Sequence, residues 1–285
     1  MTTATELAFR PYAGEVDIPE IVRVVNASLA AERVDEVWTV EGLSSWLGHA
    51  SDQFDPARDV VVAELDARVV ATGRVEWVDT RDGRYREYRL FGSVDPAHQG
   101  RGFGTALLST LEGHARTLAG THATDRERVL ATFAAAGRPA EAFHRAAGYT
   151  TARWFIDMVR PTLVDIVEPP LPGGIELRPA QPDQYETIWR ANREAFRDHW
   201  GGSDESLEQL QRILGDPDTD PSLWLIAWDG HEVYRSTTLS ANAFGYPPWR
   251  CSSDDASSNV QDRPSGSGRP ACWRASASTS QAGAG

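Results

Sequence analysis

LFGSVDPAHQGRGFGTALLSTL, Leu90 to Leu111, is the stretch on which the reading of this chain turns. It opens as an apolar strand and breaks at Asp95-Pro96, because proline donates no ladder hydrogen bond and forces the residue before it into extended geometry. Gln99-Gly100-Arg101-Gly102-Phe103-Gly104 then leads into a helix whose Ala106, Leu107, Leu108 and Leu111 recur at helical spacing. A glycine-rich turn between a strand and a helix start is an anion site. Its amides lack intrahelical acceptors, and the helix dipole adds positive charge. Gly100, Gly102 and Gly104 let a ligand approach where a Cβ would collide, and Arg101 adds a charge-assisted donor.

Two common phosphate loops are excluded. A Walker A loop needs lysine, and this chain has none: all its basic side chains are arginine. The dinucleotide fingerprint G-x-G-x-x-G needs glycine where Thr105 or Leu107 stands. The pattern V-x-P-x-x-Q-G-x-G-x-G, carried by Val94, Pro96, Gln99, Gly100, Gly102 and Gly104, resembles the acyl-CoA loop of the GNAT superfamily of N-acetyltransferases. The resemblance implies acetyl-CoA as acyl donor, with no metal. It places the pyrophosphate on Gln99, Gly100, Arg101, Gly102, Phe103, Gly104 and Thr105, and the pantetheine arm along the strand edge Gly92-Ser93-Val94.

At 285 residues the chain is long enough for two domains, and its net charge of −13 argues against a nucleic-acid or anionic-membrane binder. The cysteines, Cys251 and Cys272, both lie near the C-terminal end, forming neither a disulfide framework nor a metal site. The start, MTTATELAFRPY, lacks a basic region followed by an apolar core, and no apolar run approaches a membrane span. A cytoplasmic location is the expectation.

In chain order the segments to Val159 read β, α, α, β, β, β, α, β, α, β. That is an α/β chain with a mixed (α+β) sheet, matching the GNAT-type N-acyltransferase fold over residues 1–165. Asp17 and Thr39 are the expected N-caps of the first two helices. Residues 166–174 form a Pro/Gly linker. Residues 175–233 repeat the opening: Ile175 to Pro179 ends in Arg-Pro as Leu7 to Pro11 does, and each is followed by an amphipathic helix. A tandem arrangement with a partial second GNAT-like domain follows. Residues 234–285 have no glutamate, five arginines against three aspartates, and no sustained period, which reads as a disordered tail. One explanation is a change of reading frame near Val233; the rival is a natural tail.

Acetyl transfer to an amine calls for a base that frees the amine and a proton for the leaving thiolate. The resemblance implies a carboxylate on the strand before the loop. Glu87 is nearest, with the parity of the strand open between it and Tyr88, and Glu76 on the preceding strand is a further candidate. Glu87 also reads as a solvated edge charge between Arg86 and Arg89. Where the family often has an acidic tyrosine, this chain has His144, either an acid in its imidazolium form or a solvated histidine on a helix surface. Tyr149 matches a structural aromatic. The acceptor, a small-molecule or peptide amine, is expected to meet the region from Ala31 to Trp46, where Trp38 and Trp46 read either as walls of its pocket or as core residues. The alternative function is a non-catalytic acyl-CoA-binding or regulatory module, a degenerate pseudoenzyme.

Overall fold

The computed structural model describes residues 7–155, 162, 164, 170–197, 206–217, 219–238 and 270–276. The first part runs β1 (Ala8–Pro11), α1 (Ile18–Ala31), α2 (Val40–Leu47), a single turn α3 (Pro56–Asp59), β2 (Val60–Leu65), β3 (Arg68–Asp79), β4 (Tyr85–Val94), α4 (Phe103–Thr121), β5 (Glu127–Ala135), α5 (Pro139–Ala146) and β6 (Thr150–Trp154). The second part is β7 (Ile175–Pro179), α6 (Tyr185–Ala195), α7 (Leu207–Gly215), β8 (Trp224–Asp229) and β9 (Glu232–Thr238), with β10 (Pro270–Ser276) last. The mixed α/β order expected from the sequence is present, with α3 added.

The main sheet has the order β1-β2-β3-β4-β5-β10-β6. Only β4 and β5 are parallel, joined by the crossover helix α4. Strand alternation gives the sheet two different faces. On one, Tyr88, Leu90, Val75 and Leu130 meet Leu107, Leu111 and Leu118 of α4. On the other, Val60, Val62 and Val69 meet Ile21, Val25 and Leu43 of α1 and α2. Helix α4 comes closest at the cross-strand pair Gly73–Gly92: a Cβ on Gly73 would stand 2.8 Å from the Leu111 Cδ1 and 2.9 Å from the Phe91 carbonyl.

Local chemistry sets the joints. The β2–β3 turn places Asp66 and Ala67 at φ 53° and 61°, the paired positive values of a tight hairpin turn. Thr39 caps α2 by accepting the Gly42 amide. Asp17 precedes α1 but makes no cap hydrogen bond to it; the carboxylate instead takes both terminal nitrogens of Arg10 at 2.7 and 2.6 Å and the Ala13 amide. A bidentate charged partner outcompetes a cap. Gly148, at φ 90°, follows the last turn of α5 and its cap residue Ala147.

The second sheet, β7-β8-β9, packs α6 and α7 through Ile188, Trp189, Leu210, Ile213, Trp224 and Ile226. Strand β9 carries its ladder to Thr238, past Val233. Strand β10, from the stretch read as a tail, pairs antiparallel with both β5 and β6. Of the linker 166–174 only 170–174 is described, and of the tail only 234–238 and 270–276; the remainder lies outside the described residues. No helix among the described residues is long and apolar enough to cross a membrane.

Candidate active site

The site begins where two strands part. Strands β4 and β5 stay in parallel register from Tyr85↔Glu127 to Leu90↔Thr132. Beyond that pair β4 continues to Val94 and β5 to Ala135 with no further register partners between them, while β4 remains paired with β3 as far as Val94↔Ala71. Gly92, Ser93 and Val94 thus have one bonded edge and one edge open toward the gap.

The glycine loop closes the end of that gap. Gly100 and Gly102 take φ values of 71° and 83°, in the left-handed region, and a Cβ at either would meet nothing within 4 Å. Gly102 immediately precedes α4, so the amides of Phe103, Gly104 and Thr105 form its first turn. Among the described turn and cap hydrogen bonds, none is donated by the amides from Gly100 to Thr105. Arg101 is exposed, stacks over Phe103 at 4.8 Å and lies 2.9 Å from the His98 Nδ1. The loop is anchored from below: Asp95 accepts the Ala97 amide and pairs with Arg23 of α1 at 2.6 Å, and Arg23 also reaches the Val69 carbonyl. The Gln99 side chain reaches the Val94 carbonyl at 3.4 Å. An open row of amides at a helix start fits a pyrophosphate, and the clear space above Gly100 and Gly102 leaves room for one.

Alternation on β4 separates the candidate bases. Tyr88 faces α4 and is fully buried, its hydroxyl 2.8 Å from the His122 Nδ1. Burial pushes the Tyr88 hydroxyl pKa up and the His122 imidazole pKa down. Glu87, Arg89 and Phe91 lie on the opposite face, that of α1 and α2. Glu87 is buried at 0% exposure, which overturns the solvated-edge reading; it accepts Arg89 Nη2 at 3.2 Å. Arg89 also approaches Glu76 of β3 at 3.9 Å. Along this face the register partners run Arg74–Phe91, Glu76–Arg89 and Val78–Glu87. Glu76 therefore stands closer to the gap than Glu87, and it keeps part of its surface open.

His144 on α5 reaches the base of the gap, its Nε2 3.3 Å from the Thr132 Oγ1. It keeps part of its surface open, but desolvation pushes its pKa down to about 4, so it is not the imidazolium at neutral pH. Its Nδ1 is buried without a hydrogen-bond partner among the described residues. Phe143 beside it packs 3.7 Å from the Cβ position of Gly104, tying α5 to the loop. Tyr149 is core, its hydroxyl donating to Glu112 at 2.9 Å, and burial pushes it well above the ordinary tyrosine range.

The sequence reading missed Arg74. Its guanidinium sits over Phe91 at 3.9 Å, Trp46 at 4.8 Å and Trp38 at 5.7 Å. Trp38 is held by Asn26 of α1, which bonds the Trp38 amide and carbonyl at 2.8 and 2.9 Å, and its indole donates to Glu36 at 2.6 Å. No motif marks Arg74. Alternation along β3 was the one available signal. Among the described residues there is no group of three or more potential metal ligands.

Comparison with known proteins agrees with this geometry. The model of the GNAT acetyltransferase domain matches residues 56–151, which contain the gap and the loop. The mycothiol acetyltransferase of Frankia casuarinae is 31% identical over 255 residues, covering 78% of this chain and 70% of that protein. This chain belongs to the GNAT acetyltransferase family. Two further GNAT relatives are the mycothiol acetyltransferases of Kineococcus radiotolerans (31% identical, 55% of this chain and 50% of that protein) and Streptomyces bingchenggensis (34% identical, 49% and 44%). The chain spans about half the length of these two. A GCN5-related N-acetyltransferase from Sphaerobacter thermophilus shares the GNAT fold at a TM-score of 0.57 and 20% identity, over 81% of this chain and 70% of that one.

Proposed function

We propose that this chain moves an acetyl group from acetyl-CoA to the amine of a small molecule by direct attack while both are bound. The observation that carries the reading is the parting of β4 and β5 beyond Leu90 and Thr132, next to the open amides of Gly100 to Thr105. When bound, acetyl-CoA supplies the acyl group already activated as a thioester. The chain supplies the rest. The loop amides and Arg101 hold the pyrophosphate. The open edge of Gly92, Ser93 and Val94 aligns the pantetheine arm and acyl carbonyl. Glu76 is the carboxylate that takes the amine proton, being the one near the gap and partly open. Glu87 holds Arg89, and Arg89 orients Glu76. His144, neutral at physiological pH, serves as a hydrogen-bond donor at the base of the gap rather than as an imidazolium acid.

Residues 175–233 read as part of a second copy of the same domain. Each half starts with a strand ending in Arg-Pro, then a single 3-10 turn, then a helix. Strand β7 pairs with β8 as β1 pairs with β2, with Arg178↔Ile226 matching Arg10↔Val62. Translating the DNA beyond Val233 in its other two frames tests the reading-frame explanation, which ends if neither encodes a strand, a glycine loop and a helix.

Calorimetry of the full chain with acetyl-CoA, beside Gly104→Glu, tests the cofactor site. A glutamate there suits the first turn of a helix and meets only ordinary contacts with Phe143, so the variant folds while its charge repels the pyrophosphate. Binding by the wild type that Gly104→Glu loses, with thiol release in the presence of an amine panel, is the expected result. A folded wild type that binds no acetyl-CoA removes the reading. Binding without thiol release leaves the non-catalytic module.

A further inference from the structure

On the face of the sheet beneath the α1–α2 connection, one charge stands without a partner. No hydrogen bond or ion pair among the described residues engages the Arg74 guanidinium, and its Nε is buried and bare. Arg74 is half-buried, with its Nε enclosed; a cation held this way without an ion pair is costly, and the faces of Phe91, Trp46 and Trp38 return only part of that cost. A methionine or leucine would fill the same space without the penalty. Burial accordingly pushes the Arg74 pKa down, with Glu76 and Glu36 opposing it from a distance. The surroundings are nonetheless built: Asn26 fixes Trp38 at both backbone atoms, and Trp38 is fixed again through Glu36.

We propose that Arg74 receives a carboxylate of the acceptor, so that the acceptor is an amine that also carries a carboxylate, an amino acid or a dipeptide with both ends free. This rests on the acetyltransferase reading above. The guanidinium carbon lies 3.9 Å from the centre of the Phe91 ring, and a guanidinium held there offers a planar fork of donors, the chemistry that takes a carboxylate in two parallel hydrogen bonds. Glu76 follows two residues later on the same face of β3, roughly 7 Å along the strand. The two side chains offer a cation for one end of such a molecule and a carboxylate for the amine at the other.

The test uses the full chain and a panel of L-amino acids and dipeptides, each paired with its C-terminal carboxamide. Binding is followed by tryptophan fluorescence and calorimetry with acetyl-CoA present, and turnover by thiol release. The expected result is at least one acid that binds and reacts about tenfold or more better than its carboxamide. In Arg74→Met that ratio falls to near one, and in Arg74→Lys it recovers in part. Arg74→Met is also expected to melt no lower than the wild type, which separates loss of selectivity from loss of fold. Equal binding of acid and carboxamide, a preference that survives in Arg74→Met, or no binding by any member of the panel overturns the assignment. Thiol release at equal rates on both members of every pair keeps the acetyltransferase reading and removes Arg74. Acid-selective binding without thiol release from any amine keeps Arg74 as a carboxylate site and removes the acetyltransferase reading.

Discussion

Leu90 of β4 and Thr132 of β5 are the last residues that these parallel strands hold in register. One step further along β4 comes Phe91, stacked on Phe133 of β5 at 5.4 Å with an 8° interplanar angle, so the strands part with their aromatic rings still in contact. Past Leu90, the unused edge of β4 faces the gap rather than β5, and the glycine loop stands at its end. The proposed cofactor and acceptor surfaces meet here.

The Gly73–Gly92 pair lets α4 lie close on the sheet. In Gly73→Ala the added methyl group stands 2.9 Å from the Phe91 carbonyl, a backbone atom that cannot turn aside. The expected cost is about 1–3 kcal/mol, read in urea unfolding as a lower midpoint with an unchanged slope. A variant as stable as the wild type would show that the helix and sheet have slack here.

Glu76 and Glu87 are expected to separate rate from stability. Glu76→Gln keeps the shape and loses the base, so kcat falls by roughly a hundredfold or more with little change in melting. Glu87→Gln, fully buried beside Arg89, lowers the melting temperature more than it lowers the rate. The reverse pattern would assign the base to Glu87.

His144 gives folding a pH dependence. In the unfolded chain it takes a proton near pH 6.5, and in the folded chain only near 4, because burial disfavours the cation. Between those values the unfolded state binds more protons, so stability is full above pH 6.5 and falls as the pH drops toward 4, by on the order of 2–3 kcal/mol. Unfolding midpoints measured across this window slope downward with acid, and His144→Gln flattens the slope. A wild-type curve that is flat from 6.5 to 4 would contradict the buried neutral imidazole.

Arg23 ties the loop to α1 through Asp95. Both side chains are partly shielded, at 30% and 14% exposure, and the pair is worth about 1 kcal/mol. If that order serves the ligand, Arg23→Ala weakens acetyl-CoA binding about fivefold in Kd, seen by calorimetry, with the larger share in dissociation. Unchanged affinity would place the ion pair outside cofactor binding.

The strand–loop–helix from Leu90 to Leu111 is legible in the residues alone, because proline, left-handed glycines and a 3.6-residue apolar period are local signals that act over a few residues. The order of the elements other than α3 and β10, and the Thr39 cap, are legible for the same reason. Tertiary structure alone decided which face of β4 carries Glu87 and which carries Tyr88, since a one-residue change of register exchanges the two. It also turned Asp17 from a cap into the partner of Arg10, a competition between a local and a distant hydrogen bond. Tertiary structure enclosed the Nδ1 of His144 and partly desolvated its ring, moving its pKa down to about 4. And it brought Arg74 against Phe91 of β4, Trp38 of the α1–α2 connection and Trp46 of α2, a meeting that depends on packing rather than on any spacing along the chain.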